Sequence, residues 1–174
     1  MRFFLFGSLR TLKRRARDVD LVVELEQGER PEDAMIAVAA VAPRLRKPVE
    51  LWFSSNESVP NLAGTYDPRT ERWAFWRRPG LPGFFHGLEP VSLDHVVRLA
   101  QAAGPYGPSR RAGSPGPSVE CTIGRQGDGW GYELDGERHG PFPGPLEAAS
   151  AAERAAKVRG ELGPEQVLWF RLRP

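Results

Sequence analysis

Short unbroken apolar runs alternate along this chain with stretches of helical spacing, and Gly, Pro and charge separate them. Residues 3–6, Phe-Phe-Leu-Phe, form an apolar run ended by Gly7-Ser8, the pattern of a buried strand entering a tight turn. Residues 9–17 carry Arg10, Lys13, Arg14, Arg15 and Arg17 and read as a short basic helix or loop. Asp18-Val-Asp-Leu-Val-Val-Glu-Leu25 is rich in β-branched residues and predicts a second strand. Pro31-Glu-Asp opens a helix, with proline in the first turn and acids where the helix dipole is positive. Its apolar positions are Ala34, Ile36, Val38, Val41 and Leu45; Arg44, Arg46 and Lys47 charge its C-terminal end, and Pro48 breaks it. Val49-Glu-Leu-Trp-Phe53 predicts a third strand. Thr65 to Trp76 predicts a hairpin turning at Asp67-Pro68, and Ser92 caps a helix through Ala102 with Leu93, Val96, Val97 and Leu99 inward.

Residues 104–118 hold eight Gly or Pro in fifteen positions and offer almost nothing to bury, so they predict a linker. It separates a first domain, residues 1–103, from a small α+β domain, residues 119–174. The latter reads as ββαβ, with turns at Asp128-Gly129 and Asp135-Gly136, a helix from Glu147 to Glu161 and a last strand from Val167 to Leu172. Trp130, Tyr132 and Phe142 are the expected core beneath that helix.

Composition narrows the classes. The 174 residues are 40% hydrophobic and 26% charged, as in a globular protein rather than a disordered one. The 19 Gly and 17 Pro disfavour a coiled coil or a simple helical bundle. A net charge of +2, split 15 basic to 13 acidic before residue 104 and 9 to 9 from there on, demands no nucleic-acid partner. Cys121 is the single cysteine, which excludes an intrachain disulfide framework and a thiolate-rich zinc site, and the three histidines show no ligand spacing. The N-terminal apolar run is too short for a signal peptide and no stretch approaches a membrane span, so the expected location is the cytoplasm.

The candidate chemistry lies in Gly7-Ser8 and Asp18-Val-Asp20. Side chains two apart on a strand share a face, so Asp18 and Asp20 are placed to grip divalent cations together. Paired metals suit an in-line displacement at phosphorus, and magnesium is the ion that carboxylates and phosphates share. The small Gly7-Ser8 turn admits a phosphate to main-chain N–H groups and to the Ser8 hydroxyl. Glu50, on the third strand, is a third carboxylate; its bland reading is a solvated acid at a strand start.

Phe6-Gly7-Ser8, Asp18-Val19-Asp20 and Glu50 together resemble the nucleotidyltransferase superfamily of the DNA polymerase β type, particularly the minimal nucleotidyltransferases. Those proteins place an apolar strand and Gly-Ser ahead of Asp-x-Asp on a second strand, with a third acid on a later one. The resemblance implies an α+β fold, a small mixed β-sheet flanked by helices. It implies that Asp18, Asp20 and Glu50 are catalytic and hold Mg2+, and that Gly7, Ser8 and Arg10 bind the nucleotide. The donor it implies is a nucleoside triphosphate, ATP in most small members, and the acceptor a hydroxyl of a protein, a tRNA or a small molecule. After the serine this chain has Leu9-Arg10-Thr11 where many minimal members place Arg directly and Gly soon after. Haloacid dehalogenase-like phosphatases place their aspartates after an apolar strand, the opposite of the order here. A glycosyltransferase would need a sugar-nucleotide domain where only 17 residues precede the acids.

The alternative reading is a nucleotidyltransferase fold that acts as an antitoxin or scaffold by covering a partner protein. Of the remaining signals, Lys13, Arg14, Arg15 and Arg17 would steer a triphosphate or a nucleic acid, or merely form a solvated loop. Trp73, Phe75 and Trp76 beside Arg77 and Arg78 describe a base-stacking strand or, preferred here, a hairpin packed on the core. His86, among aromatics, reads as structural.

Overall fold

The computed structural model describes residues 1–10, 16–54, 62–77, 87–104, 119–163 and 166–173. The fold is mixed α+β and divides into two compact units, Met1–Glu71 with Trp76–Arg110 and Arg72–Phe75 with Arg111–Pro174. Lys13, Arg14, Arg15, Arg78, His86 and residues 105–118 of the expected linker lie outside the described residues. No described helix is long and apolar enough to cross a membrane.

The first unit begins with β1 (Arg2–Phe6), α1 (Gly7–Arg10), β2 (Val19–Glu24), α2 (Pro31–Leu45), β3 (Val49–Phe53) and β4 (Leu62–Asp67). After β5 (Arg72–Arg77), it continues with β6 (Pro90–Val91) and α3 (Leu93–Ala102). Its strands lie in the order β6-β1-β2-β3-β4. All neighbours are antiparallel except β2 and β3, which are parallel because α2 carries the chain back between them. Helix α2 ends where Arg46 takes a left-handed conformation, φ 54° and ψ 23°, and its N–H donates to the Ala42 carbonyl. The Ser92 hydroxyl accepts from the His95 N–H at 3.2 Å and caps α3 as the sequence predicts. At the expected Asp67-Pro68 turn, the Asp67 carboxylate accepts from the Arg69 N–H at 2.9 Å, and the Asp67 carbonyl accepts from the Glu71 N–H at 2.8 Å.

Register sorts the side chains of β1 to β4 onto two faces. Val19, Leu21, Val23, Val49, Leu51 and Phe53 are fully buried on one. Leu5, on this face, shares a cavity wall with Leu99 of α3, and α3 packs against α2. The opposite face carries a second apolar cluster, Phe4, Phe6, Val22, Trp52 and Ala63, with Leu88 against it.

The second unit joins Arg72–Phe75 of β5 to β7 (Cys121–Gln126), β8 (Gly129–Leu134), β9 (Glu137–Phe142), α4 (Pro145–Val158) and β10 (Trp169–Arg173). Its strands lie in the order β5-β10-β7-β8-β9, with only β10 and β7 parallel. The stretch expected as ββαβ is therefore βββαβ. Glu-Arg-His-Gly-Pro-Phe, with a Gly-Pro inside it and no apolar alternation, hides β9, and the edge of a sheet is where such a strand is tolerated. Helix α4 starts at Pro145, two residues before the predicted start, because proline suits the first helical position. Its buried alanines, Ala148, Ala149, Ala152 and Ala156, face β8. Trp130 is fully buried and Tyr132 stacks on Phe142, so the expected aromatic core forms. Trp73 and Phe75 belong to it as well: Phe75 stacks on Trp73 and on Phe170.

Cys121 is buried in this core, and burial, with the charge of Asp135, pushes its thiol from an ordinary 9.0 up to about 12. The folded chain then holds a proton that the unfolded chain releases above pH 9. Stability is expected to fall as pH rises from about 9 to 12, by up to about 4 kcal/mol over the full window. Urea midpoints of the parent and Cys121→Ala across that range check this; parallel curves would overturn it. The native thiol is also expected to resist disulfide reagents at pH 8 until urea opens the core.

Candidate functional site

Strand pairing brings two of the three predicted carboxylates to one level. Asp20 of β2 is the register partner of Glu50 in parallel β3, and Phe6 and Thr65 are their outer partners on β1 and β4. Partners at one level share a sheet face, so Asp20, Glu50 and Thr65 stand in a row beside the Phe4, Phe6 and Trp52 cluster. Phe6 and Trp52 meet edge to face, ring centroids 6.1 Å apart, and floor this face next to the acids. Glu50 is only 7% exposed, unlike the solvated acid of its bland reading, and Asp20 is half-buried.

Gly7 comes to the same place. It has φ +70°, and a Cβ added there would overlap Oδ2 of Asp20 and stand 2.8 Å from its Cγ. Only glycine fits at that turn, on conformational and on steric grounds. Gly7 and Ser8 open α1, so the turn that ends β1 lies directly against the Asp20 carboxylate.

Asp18 is placed differently. It sits at a bend one residue before β2 begins, so the alternation of a strand does not set its direction. Among the described residues, no three His, Cys, Asp or Glu side chains gather in a metal-holding group. Magnesium, however, is commonly held by one or two carboxylates, with water and phosphate oxygens completing the shell. The pair Asp20 and Glu50, with the glycine cradle beside it, fits that donor set. Arg10, the last residue of α1, lines a cavity of about 470 Å³ with Leu5, Leu88, Glu89, His95 and Leu99.

Lys47 is the residue that sequence reasoning misses. Among the charges that end α2 it would be expected in solvent, yet it is 1% exposed, and its Nζ donates to the Ala16 carbonyl at 2.8 Å. Burial pushes its ammonium below the usual lysine range, and the charge of Asp18 pulls it partly back. The one signal in the sequence is its position between a helix end and a β-branched strand start, which marks many residues that are not buried.

No known protein family, curated protein or solved structure matches the chain.

Proposed function

We propose that the protein is a magnesium-dependent nucleotidyltransferase that moves a nucleoside monophosphate from a triphosphate, ATP foremost, to a hydroxyl of a protein, tRNA or small-molecule acceptor. The observation that carries this reading is the meeting of Asp20, Glu50 and the Gly7 turn at one end of β1, β2 and β3. Magnesium is commonly held by one or two carboxylates with phosphate oxygens completing its shell, and register places Asp20 and Glu50 at one level of the sheet. Asp20 and Glu50 would hold the magnesium, with Asp18 at the bend beside them. Magnesium, when bound, neutralises the triphosphate and stabilises charge developing at the α-phosphorus. The Gly7-Ser8 turn lets main-chain groups approach the phosphates, which a side chain at residue 7 would prevent. The acceptor oxygen bonds to the α-phosphorus, the bond to the bridging oxygen breaks, pyrophosphate leaves and the acceptor proton passes to a carboxylate or water. Positioning and charge neutralisation supply the rate.

The alternative is a binding protein of the same fold that covers a partner. One assay separates the two. Parent, Asp20→Asn and Glu50→Gln proteins are incubated with each α-labelled triphosphate, magnesium and host lysate or RNA. The parent is expected to label an acceptor, and each variant to label it about 10²–10³-fold more slowly. Chelating the magnesium is expected to abolish transfer. Parent protein that labels nothing with any of the four triphosphates, or variants as fast as the parent, would overturn the enzyme reading.

A further inference from the structure

The left-handed Arg46 that ends α2 turns the chain sharply, so that Lys47 points inward rather than into solvent. Its aliphatic stem is buried, and its ammonium reaches the carbonyl of Ala16, 31 residues earlier, at 2.8 Å. The next residue makes a second tie. The Pro48 carbonyl accepts from the Val19 N–H at 2.9 Å, where β2 begins beside β3. Asp18 lies between these two tied points. Immediately beyond them Val19 pairs with Val49 and Asp20 with Glu50, so the ties sit where the register of the two acid-bearing strands is set.

A buried ammonium is costly to keep and is retained only with hydrogen-bonding or charged partners. Here they are one carbonyl of the segment before the acids and the nearby charge of Asp18. A leucine or methionine would fill the same space without tying anything down. At 1% exposure Lys47 does not touch a substrate, so any part it has in chemistry runs through the residues it holds.

We infer that Lys47 is the positioning residue of the carboxylate site: it clamps residues 16–19 to the start of β3, holding Asp18 at the bend and Asp20 level with Glu50. This rests on the reading of Asp20 and Glu50 as metal carboxylates, and the test separates the two. Mn2+ stands in for magnesium, and its binding to the 174-residue chain is followed by electron paramagnetic resonance. The proteins are the parent, Asp20→Asn, Asp18→Asn, Lys47→Met and the double variant Lys47→Met/Asp18→Asn. Circular dichroism confirms the folded state of each.

The parent is expected to bind Mn2+ and Asp20→Asn to lose it. Lys47→Met is expected to bind about 10–100-fold more weakly, the loss that follows when a group orienting a metal ligand is removed. Asp18→Asn alone is expected to weaken binding, and the double variant to be little weaker than Lys47→Met alone, since Asp18 contributes only while it is held. A merely structural lysine would lower thermal stability, leave the Mn2+ affinity of the folded protein unchanged and add independently to Asp18→Asn. Parent-like affinity in folded Lys47→Met, or full additivity, therefore overturns the role of Lys47 while the acids stand. A parent that binds no Mn2+ overturns the acid reading and this inference together. Should Lys47→Met fail to fold, Lys47→Gln takes its place: it is neutral and too short for the same reach, and parent-like affinity in it is equally fatal.

Discussion

Gly7→Ala is expected to destabilise the protein by about 2–3 kcal/mol and to weaken Mn2+ binding at least tenfold. Part of the cost is conformational: a left-handed backbone is roughly 1–2 kcal/mol less favourable for alanine than for glycine. The rest is steric. The new methyl would overlap the Asp20 carboxylate, so either that side chain leaves its rotamer or β1 and β2 shift against each other. Both routes displace the Asp20 carboxylate from its present position. Gly28→Ala is the control, because Gly28 has φ +87° and nothing within 4 Å of an added Cβ. It carries the conformational cost without the collision. Urea unfolding and an Mn2+ titration of both variants decide the matter, and equal effects in the two would show that Asp20 tolerates the methyl.

Separating residues 111–174 from the rest is expected to leave them without a fixed fold. Their sheet ends on β10, and β10 pairs with β5 through Trp169–Ala74 and Phe170–Trp73. Trp73 and Ala74 are fully buried, and the stacked rings of Trp73 and Phe75 cover Phe170. Losing one buried aromatic of this size costs about 3–5 kcal/mol. That is a large share of what a unit this small has in total, and an exposed apolar strand edge remains. The excised fragment is expected to give the collapsed amide proton dispersion of an unfolded chain in a ¹H–¹⁵N NMR spectrum. A well-dispersed spectrum would show that four residues of β5 are dispensable to it.

Much of the fold is legible in the amino-acid pattern. The apolar run at residues 3–6, the β-branched run after Asp18 and the five residues from Val49 are all strands. Proline opens α2, Ser92 caps α3 and Asp67-Pro68 makes its turn, each through interactions reaching no more than four residues. Strand β9 escapes because its Gly-Pro and charges oppose the usual strand pattern, and only its place at a sheet edge accommodates them. Of the candidate site, the residue types and their order along the chain can be read: a glycine turn, two aspartates and a glutamate.

Their arrangement cannot. Asp20 meets Glu50 because β2 and β3 pair in one register out of several, and that register depends on contacts between residues 30 apart in sequence. Asp18 falls outside the strand, and Lys47 is buried although helices commonly end on solvated cations. Local sequence determined which segments became strands and helices, because backbone sterics, capping and alternation act over a few residues. Only the tertiary structure decided which carboxylates stand together and which lysine is enclosed, because register and burial arise where distant segments pack.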